Sequence, residues 1–427
     1  MQVIYQYCAG LDVHKKTVVA CRRNGRKQQE IKSFGTTTPE LLELVDWLLE
    51  WGCSHVAMES TGDYWKPIYN LLEGSFQVLL VNAKHVKNVP GRKTDMKDAQ
   101  WLAELLQHGL LKASFIPPAP QRDLRDLTRY RTKLVQERAR VVNRVQKVLE
   151  SANIKLSSVA KDILGVSARA MLEALVTGES DPKIMAQLAR TRLRKKIPEL
   201  EKALTGLVRD HHRFLLIRQL AHIDFLDEQI TSMSMEIEHR IREMDQSQQK
   251  PSSDTNPDAP PPLKAQEAVE LLETIPGVDK LTAELIVSEL GTDMSRFRTS
   301  KHAASWAGLA PGSNESAGKH YSGRTKKGNR PLRSGLLQTA WAASRTKNTY
   351  LSAQYHRLAG RRGKKRAIVA VAHSIVVMAY HILKYHQPYQ ELGANYFDER
   401  KKESVAHRLT KRLEILGYKV NLEPNAA

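Results

Sequence analysis

Val3-Ile4-Tyr5-Gln6-Tyr7-Cys8-Ala9-Gly10-Leu11-Asp12 alternates and then runs apolar into a carboxylate, the pattern of a strand that enters a core and ends at its edge. After the short turn His14-Lys15-Lys16, Thr17-Val18-Val19-Ala20-Cys21 reads as a second strand, and Asn24-Gly25 turns the chain into a third, Gln29 to Phe34. Thr38-Pro39-Glu40 opens a helix with Thr38 as cap, Pro39 at the first position, and Leu41, Leu44, Val45 and Leu48 on its apolar face. His55-Val56-Ala57-Met58 is a short buried strand ending in Glu59. A helix over about Tyr64 to Glu73 and a strand from Phe76 to Val81 follow, and Arg92-Lys93-Thr94-Asp95-Met96-Lys97-Asp98-Ala99 opens a helix to about His108. Residues 1–120 therefore form an α/β domain with the order three strands, helix, strand, helix, strand, helix.

Two of those strands end in carboxylates. Sites in open α/β sheets collect at strand ends, so Asp12 and Glu59 lie side by side if their strands are neighbours. Asp95 and Asp98 stand three apart, on one face of a helix, where like charges repel unless a cation neutralises them. The plain alternative is a solvated acidic helix start, favoured by the dipole and capped by Thr94. Four carboxylates converging on one point require cations, and hard oxygen ligands select Mg²⁺ or Mn²⁺. Two such ions activate a nucleophile and stabilise a leaving oxygen in phosphoryl transfer.

Composition points the same way. The 427 residues carry 66 Lys+Arg against 46 Asp+Glu, a formal charge of +20, which calls for a polyanionic partner, most simply nucleic acid. No apolar run approaches the roughly 18 residues of a membrane span, and the start lacks the charged-then-apolar layout of a signal peptide. Cys8, Cys21 and Cys53 are odd in number and lack metal-ligand spacing. The expectation is a cytoplasmic protein with buried free thiols and no membrane partner.

Residues 121–245 read as a helical, coiled-coil segment. Arg122 to Ala152 is one long helix with a stripe of Leu124, Leu127, Leu134, Val141, Val145 and Val148, and with Arg129, Arg131, Lys133, Arg138, Arg140, Arg144 and Lys147 over much of the rest. Such a helix suits phosphates, with Arg129, Arg138 and Arg144 as contacts, or a dimer seam; a solvated helix on a hairpin is the alternative. Ala168 to Leu175 and Lys183 to Leu188 are short helices, and Ile197 to Met244 is one or two long ones returning against the first. The Pro- and Ser-rich stretch 246–263 reads as a flexible linker and domain boundary.

In residues 264–390, helices Ala268 to Thr274 and Leu281 to Leu290 flank Ile275-Pro276-Gly277-Val278. They read as a helix-hairpin-helix presenting N–H groups to phosphate or as a plain αα-hairpin, Asp279 standing where a second turn glycine is usual. Ser305-Trp306-Ala307-Gly308-Leu309-Ala310-Pro311 leads into a Gly- and Ser-rich loop bearing Lys319, Arg324, Lys326, Lys327, Arg330 and Arg333. Small residues let a DNA backbone approach, and the cations stabilise transition-state charge. Arg357, Arg361, Arg362, Lys364, Lys365 and Arg366 form a further basic cluster, and 391–427 is a peripheral tail.

Gly10-Leu11-Asp12-Val13-His14-Lys15, Met58-Glu59-Ser60-Thr61-Gly62 and Lys93-Thr94-Asp95-Met96-Lys97-Asp98-Ala99, in that order, resemble the DEDD transposases of bacterial insertion sequences. The resemblance spans nearly the whole chain apart from the linker and tail. It implies an N-terminal RNase H-like, RuvC-like fold with Asp12, Glu59, Asp95 and Asp98 as a metal-binding tetrad, and a helical C-terminal transposase domain. It places the nucleophile at Ser316, five residues after Pro311, although spacing alone leaves Ser313 and Ser322 open. It also implies strand exchange through a phosphoserine link, a composite site between subunits of a homo-oligomer, double-stranded DNA as substrate, and a structured guide RNA. The rival readings are a metal-dependent nuclease that uses water and a non-catalytic nucleic-acid-binding protein.

Overall fold

The computed structural model describes residues 2–25, 28–60, 62–82, 86, 98–247, 263–312, 315, 316, 318–320, 323–325 and 327–422, with Glu315, Ser316 and His320 described by backbone only. The chain divides into two compact units, Met1–Pro117 and Pro118–Ala427.

The first unit is built on a five-stranded mixed sheet of β1 (Tyr7–Val13), β2 (Thr17–Asn24), β3 (Gln29–Gly35), β4 (His55–Glu59) and β5 (Gln77–Val81), in the order β3-β2-β1-β4-β5. The first three strands are antiparallel neighbours, and β4 runs parallel to β1 and β5 parallel to β4. Helices α1 (Thr38–Glu50) and α2 (Trp65–Leu72) pack on one face, where Leu44, Leu48, Ile68 and Leu72 meet Ala9, Leu11, Val56 and Met58. Helix α3 (Asp98–Gln107) covers the other, with Ala99 and Ala103 against Cys21 and Leu106 against Cys8 and Ala57. The free thiols are buried, and burial pushes Cys8 and Cys53 up to about 12 and Cys21 to about 11, so all three stay protonated at neutral pH.

Local chemistry shifts some boundaries. The first strand starts at Tyr7 rather than Val3, because the Ile4 and Tyr5 N–H groups donate to the Gln107 carbonyl at the end of α3 (2.9 and 3.2 Å). The second strand runs on to Asn24, where Arg22 bonds Glu30 on β3 and lies over the Trp47 and Trp51 rings. The cap of α1 is Thr37, not Thr38: the Glu40 carboxylate accepts from the Thr37 N–H (3.1 Å) and hydroxyl (2.5 Å), which holds it below the usual carboxylate range.

The second unit is helical. Two long helices, α4 (Ala119–Ser151) and α9 (Asp210–Ser247), run antiparallel, so that Arg131 meets Ser234 and Arg138 meets Asp227. Between them lie α5 (Leu156–Val159), α6 (Val166–Thr177), α7 (Pro182–Gln187), a 3₁₀ turn at Thr191–Lys196 and α8 (Ile197–Leu204). These pack on the distal parts of the long helices, Val145 and Leu149 meeting Leu172, Leu200, Leu216 and Leu220 in an arm core. The other ends enter a body core with α10 (Ala265–Glu273), α11 (Lys280–Leu290), α12 (Ser300–Trp306), α13 (Arg330–Arg345), α14 (Tyr350–Arg362) and α15 (Lys364–Tyr385). The short α16 (Tyr396–Glu399) and α17 (Lys402–Ile415) follow, with no buried residue in either.

Two expectations change here. Leu124, Ile237 and Ile241 share the body core with Val269, Ile286, Leu336 and Val371, so 121–245 and 264–390 are not separate domains. The ends of the 246–263 stretch also meet: the Asp245 carboxylate accepts from the backbone N–H groups of Ala265 (2.6 Å) and Gln266 (3.0 Å). Most of that stretch lies outside the described residues; the residues flanking it are held together through Asp245. Secondly, one helix among the described residues does have the length and apolar character of a membrane span, Lys364–Tyr385. Ala367, Val371, Ala372, Ile375, Val376 and Ala379 on it are buried at the centre of the body core, which accounts for that composition.

Candidate active site

The sheet register brings the first two carboxylates together. Leu11 pairs with Met58 across the parallel β1–β4 ladder, so Asp12 and Glu59 are the next positions on neighbouring strands at one sheet edge. Alternation settles the face: Ala9, Leu11, Val56 and Met58 point to α1 and α2, which leaves Asp12 and Glu59 on the side of α3. Helix α3 runs back along β1, its Gln107 carbonyl meeting Tyr5, its Ala103 carbonyl meeting the Cys8 thiol, and its first turn lying against Gly10. Its first residue, Asp98, therefore starts at the edge where β1 ends. The approach needs Gly10: a Cβ there would sit 2.3 Å from the Ala99 carbonyl oxygen.

Asp98 is exposed and Glu59 half-buried, and the Asp12 carboxylate lies 3.2 Å from His14 Nε2. Asp95 lies outside the described residues, as does most of the helix opening in which it was read. Among the described residues no three His, Cys, Asp or Glu side chains come close enough to hold an ion. The donors that reach this edge are carboxylate oxygens, the chemistry suited to a hard divalent cation.

The serine loop is held at its base. The Trp306 carbonyl accepts from the Asn329 N–H (2.9 Å), and the Gly312 N–H donates to the Arg324 carbonyl (3.2 Å). Gly328 packs on Gly308 so closely that a Cβ would lie 2.3 Å from the Gly308 nitrogen. Beyond the base the chain forms a small hairpin, β6 (Glu315–Ser316) with β7 (Lys319–His320), in which Ser316 pairs with Lys319 and Gly318 turns the chain at φ 74°. Ser316 thus stands just before the turn. Ser313, Ser322 and Lys326 lie outside the described residues. Lys319, Arg324, Lys327 and Arg330 are exposed, whereas the Arg333 guanidinium donates to the Gly308 carbonyl (2.7 Å) and the Thr325 hydroxyl (2.9 Å), holding the loop.

Behind that base lies a buried ionic network that the sequence reading did not find. Glu289 on α11 is fully buried; it accepts from both sides of the Arg129 guanidinium (2.6 and 2.8 Å) and from the side chain of Asn329, the cap of α13 (2.6 Å). Arg125 adds a second cation at 3.4 Å; burial lowers its pKa to about 10, opposed by Glu289. One turn earlier, buried Glu284 pairs with buried Arg131 at 2.6 Å; burial raises the Glu284 carboxyl and Arg131 opposes it. Arg138 grips both oxygens of Asp227. Arg129 and Arg138, read from sequence as phosphate contacts, are therefore bound to carboxylates of the same chain, while Arg144 is exposed. The hairpin at Ile275–Val278 is likewise an αα-hairpin whose Asp279 caps α11 through the Thr282 N–H (2.9 Å), placing a carboxylate where a phosphate would approach. Arg361, Arg362, Lys364 and Lys365 are exposed at the α14–α15 junction.

The transposase model DEDD_Tnp_IS110 matches residues 9–154, and the model of the transposase IS116/IS110/IS902 family matches residues 269–357. The chain belongs to the IS110 family of DEDD transposases. Members of this family are enzymes that cut and rejoin DNA. The first match contains Asp12, Glu59, Asp95 and Asp98, and the second contains Ser316 and the Glu289–Asn329 contact. Among relatives, the transposase of insertion sequence element IS1111A of Coxiella burnetii is 25% identical over 350 residues, 80% of each chain. That of IS1328 from Yersinia enterocolitica is 25% identical over 289 residues, 67% of this chain and 69% of the other. The pilin gene-inverting protein of Moraxella bovis is 30% identical over 124 residues, 28% of this chain and 38% of that one.

Proposed function

We propose that this IS110-family transposase cuts and rejoins DNA through a phosphoserine intermediate at Ser316, with Asp12, Glu59, Asp95 and Asp98 as the divalent-metal site of an RNase H-like domain. The observation that supports it most is the arrival of Asp12, Glu59 and Asp98 at one sheet edge from three separate elements. A bound Mg²⁺ or Mn²⁺ would lower the pKa of a nucleophile and offset charge on the departing oxygen. The Ser316 hydroxyl gives up its proton and its oxygen attacks phosphorus; a Ser–O–P bond forms, one P–O bond to deoxyribose breaks, and the departing oxygen takes a proton. One ester replaces another, so the hydroxyl of a second strand can reverse the step on a new partner. The name of the Moraxella relative, a DNA inverter, fits rejoining better than hydrolysis. Lys319, Arg324, Lys327 and Arg330 hold backbone phosphates near the serine, with Arg361, Arg362, Lys364 and Lys365 extending the basic surface. The proposal includes a homo-oligomer whose composite site joins one subunit's tetrad to another's serine, and a structured RNA guide in the bacterial cytoplasm, near the nucleoid. The test is a suicide substrate carrying the element's ends, with its flanking transcript and Mg²⁺, resolved on denaturing gels. A covalent protein–DNA band lost in Ser316→Ala and Asp98→Ala supports the mechanism; nicking without adduct, unchanged in Ser316→Ala, leaves a water-using nuclease.

A further inference from the structure

Arg190, Arg192, Arg194, Lys195 and Lys196 make up five of the seven residues 190–196, on and beside the 3₁₀ turn Thr191–Lys196 of the arm. Neither family match reaches this segment, which lies between residues 154 and 269. Several cations elsewhere on the arm are paired inside the chain: Arg138 with Asp227, Arg169 with Asp224 and Glu173, and Lys155 with Glu150. Those of the turn are not. Lys196 has only a long contact to Glu199 (3.7 Å), and among the described residues no carboxylate lies within 4.0 Å of Arg190, Arg192, Arg194 or Lys195.

The turn is also rigidly seated. The Arg190 N–H donates to the Ser167 hydroxyl (2.9 Å), Leu193 and Ile197 pack on the arm core, and Thr191 is held at φ 48°, a conformation a β-branched residue adopts only where its surroundings impose it. Beside it opens a cleft of about 590 Å³ lined by Lys161, Arg190, Arg192 and Lys196. The acid on its wall, Asp162, accepts from the Leu164 N–H (2.9 Å). Pre-positioned, unneutralised cations around a cleft match a chain of phosphates, because each phosphate they neutralise releases condensed counterions.

We propose that the 190–196 turn and its cleft bind the phosphodiester backbone of a nucleic acid, as an anchor on the arm apart from the serine loop. This rests on the reading that the protein acts on nucleic acid. RNA and DNA helices present the same phosphate chemistry, and the experiment separates them. Binding of the full-length protein to a DNA duplex and to an RNA duplex is measured by fluorescence anisotropy across about 50 to 200 mM salt. Arg192→Gln/Arg194→Gln/Lys195→Gln is compared with wild type and with Arg192→Lys/Arg194→Lys, which keeps the charge. The expected result is a fall of about 2 to 3 in the slope of log affinity against log salt for the Gln variant, no change for the Lys variant, and unchanged Tm in both. A loss confined to one duplex identifies the anchored strand type; a loss with both assigns a shared backbone site. An unchanged slope with both, while wild type binds, overturns the anchor alone. Failure of wild type to bind either duplex overturns the functional reading with it.

Discussion

The carboxylate edge of the first unit and the serine loop of the second are assembled in different ways. At the edge, backbone does the positioning: a parallel ladder aligns Asp12 with Glu59, and a helix brought into contact at Gly10 delivers Asp98. At the loop, backbone bonds at the base are joined by a side-chain network of Glu289, Arg129, Asn329 and Arg333. The difference teaches where substitutions are tolerated. A side chain at the edge can lose its charge with the scaffold intact, whereas removing a charge behind the loop takes away a buried ion-pair partner.

That contrast breaks most readily at Glu289. Glu289→Ala removes the buried carboxylate that Arg129 and Arg125 share and the acceptor of the Asn329 side-chain amide, and the expected cost is about 3 to 5 kcal/mol, read as a lower urea midpoint in the full chain. Asp12→Asn sharpens the opposite side: strand cleavage falls by about a hundredfold or more while Tm stays near wild type, since Asp12 has only His14 as an ion-pair partner among the described residues. Equal loss of stability in the two variants would erase the distinction. The smallest effect belongs to Asp245→Ala, which removes the cap joining α9 to α10 and should cost about 1 to 2 kcal/mol by the same denaturation measurement. A value near zero would show that this contact does not hold the end of α9 to the start of α10.

Much of the edge was legible in sequence because it rests on local periodicity: strands of period two, a carboxylate at each end, a helix opening in acid. Val3 to Gln6 misled because their pattern continues that of the strand while their backbone is claimed by Gln107, about a hundred residues later. The roles of Arg129 and Arg138 were illegible for the same reason, since their carboxylates stand 160 and 89 residues away in the chain. Composition marked 246–263 as flexible but carries no information on whether its ends meet. The basic run at 190–196 falls between the helices read from sequence and drew no reading there; that its charges lack ion-pair partners within the chain required coordinates. The five strands and the helices between them followed from the pattern, whereas the mixed sheet and its strand order, which decides that Asp12 and Glu59 are neighbours, came from the structure.

The most direct measurement is the denaturing gel of the suicide-substrate reaction, wild type beside Ser316→Ala. A protein–DNA adduct is expected in wild type, dependent on divalent metal and absent in Ser316→Ala. Nicked DNA in both lanes with an adduct in neither would contradict it.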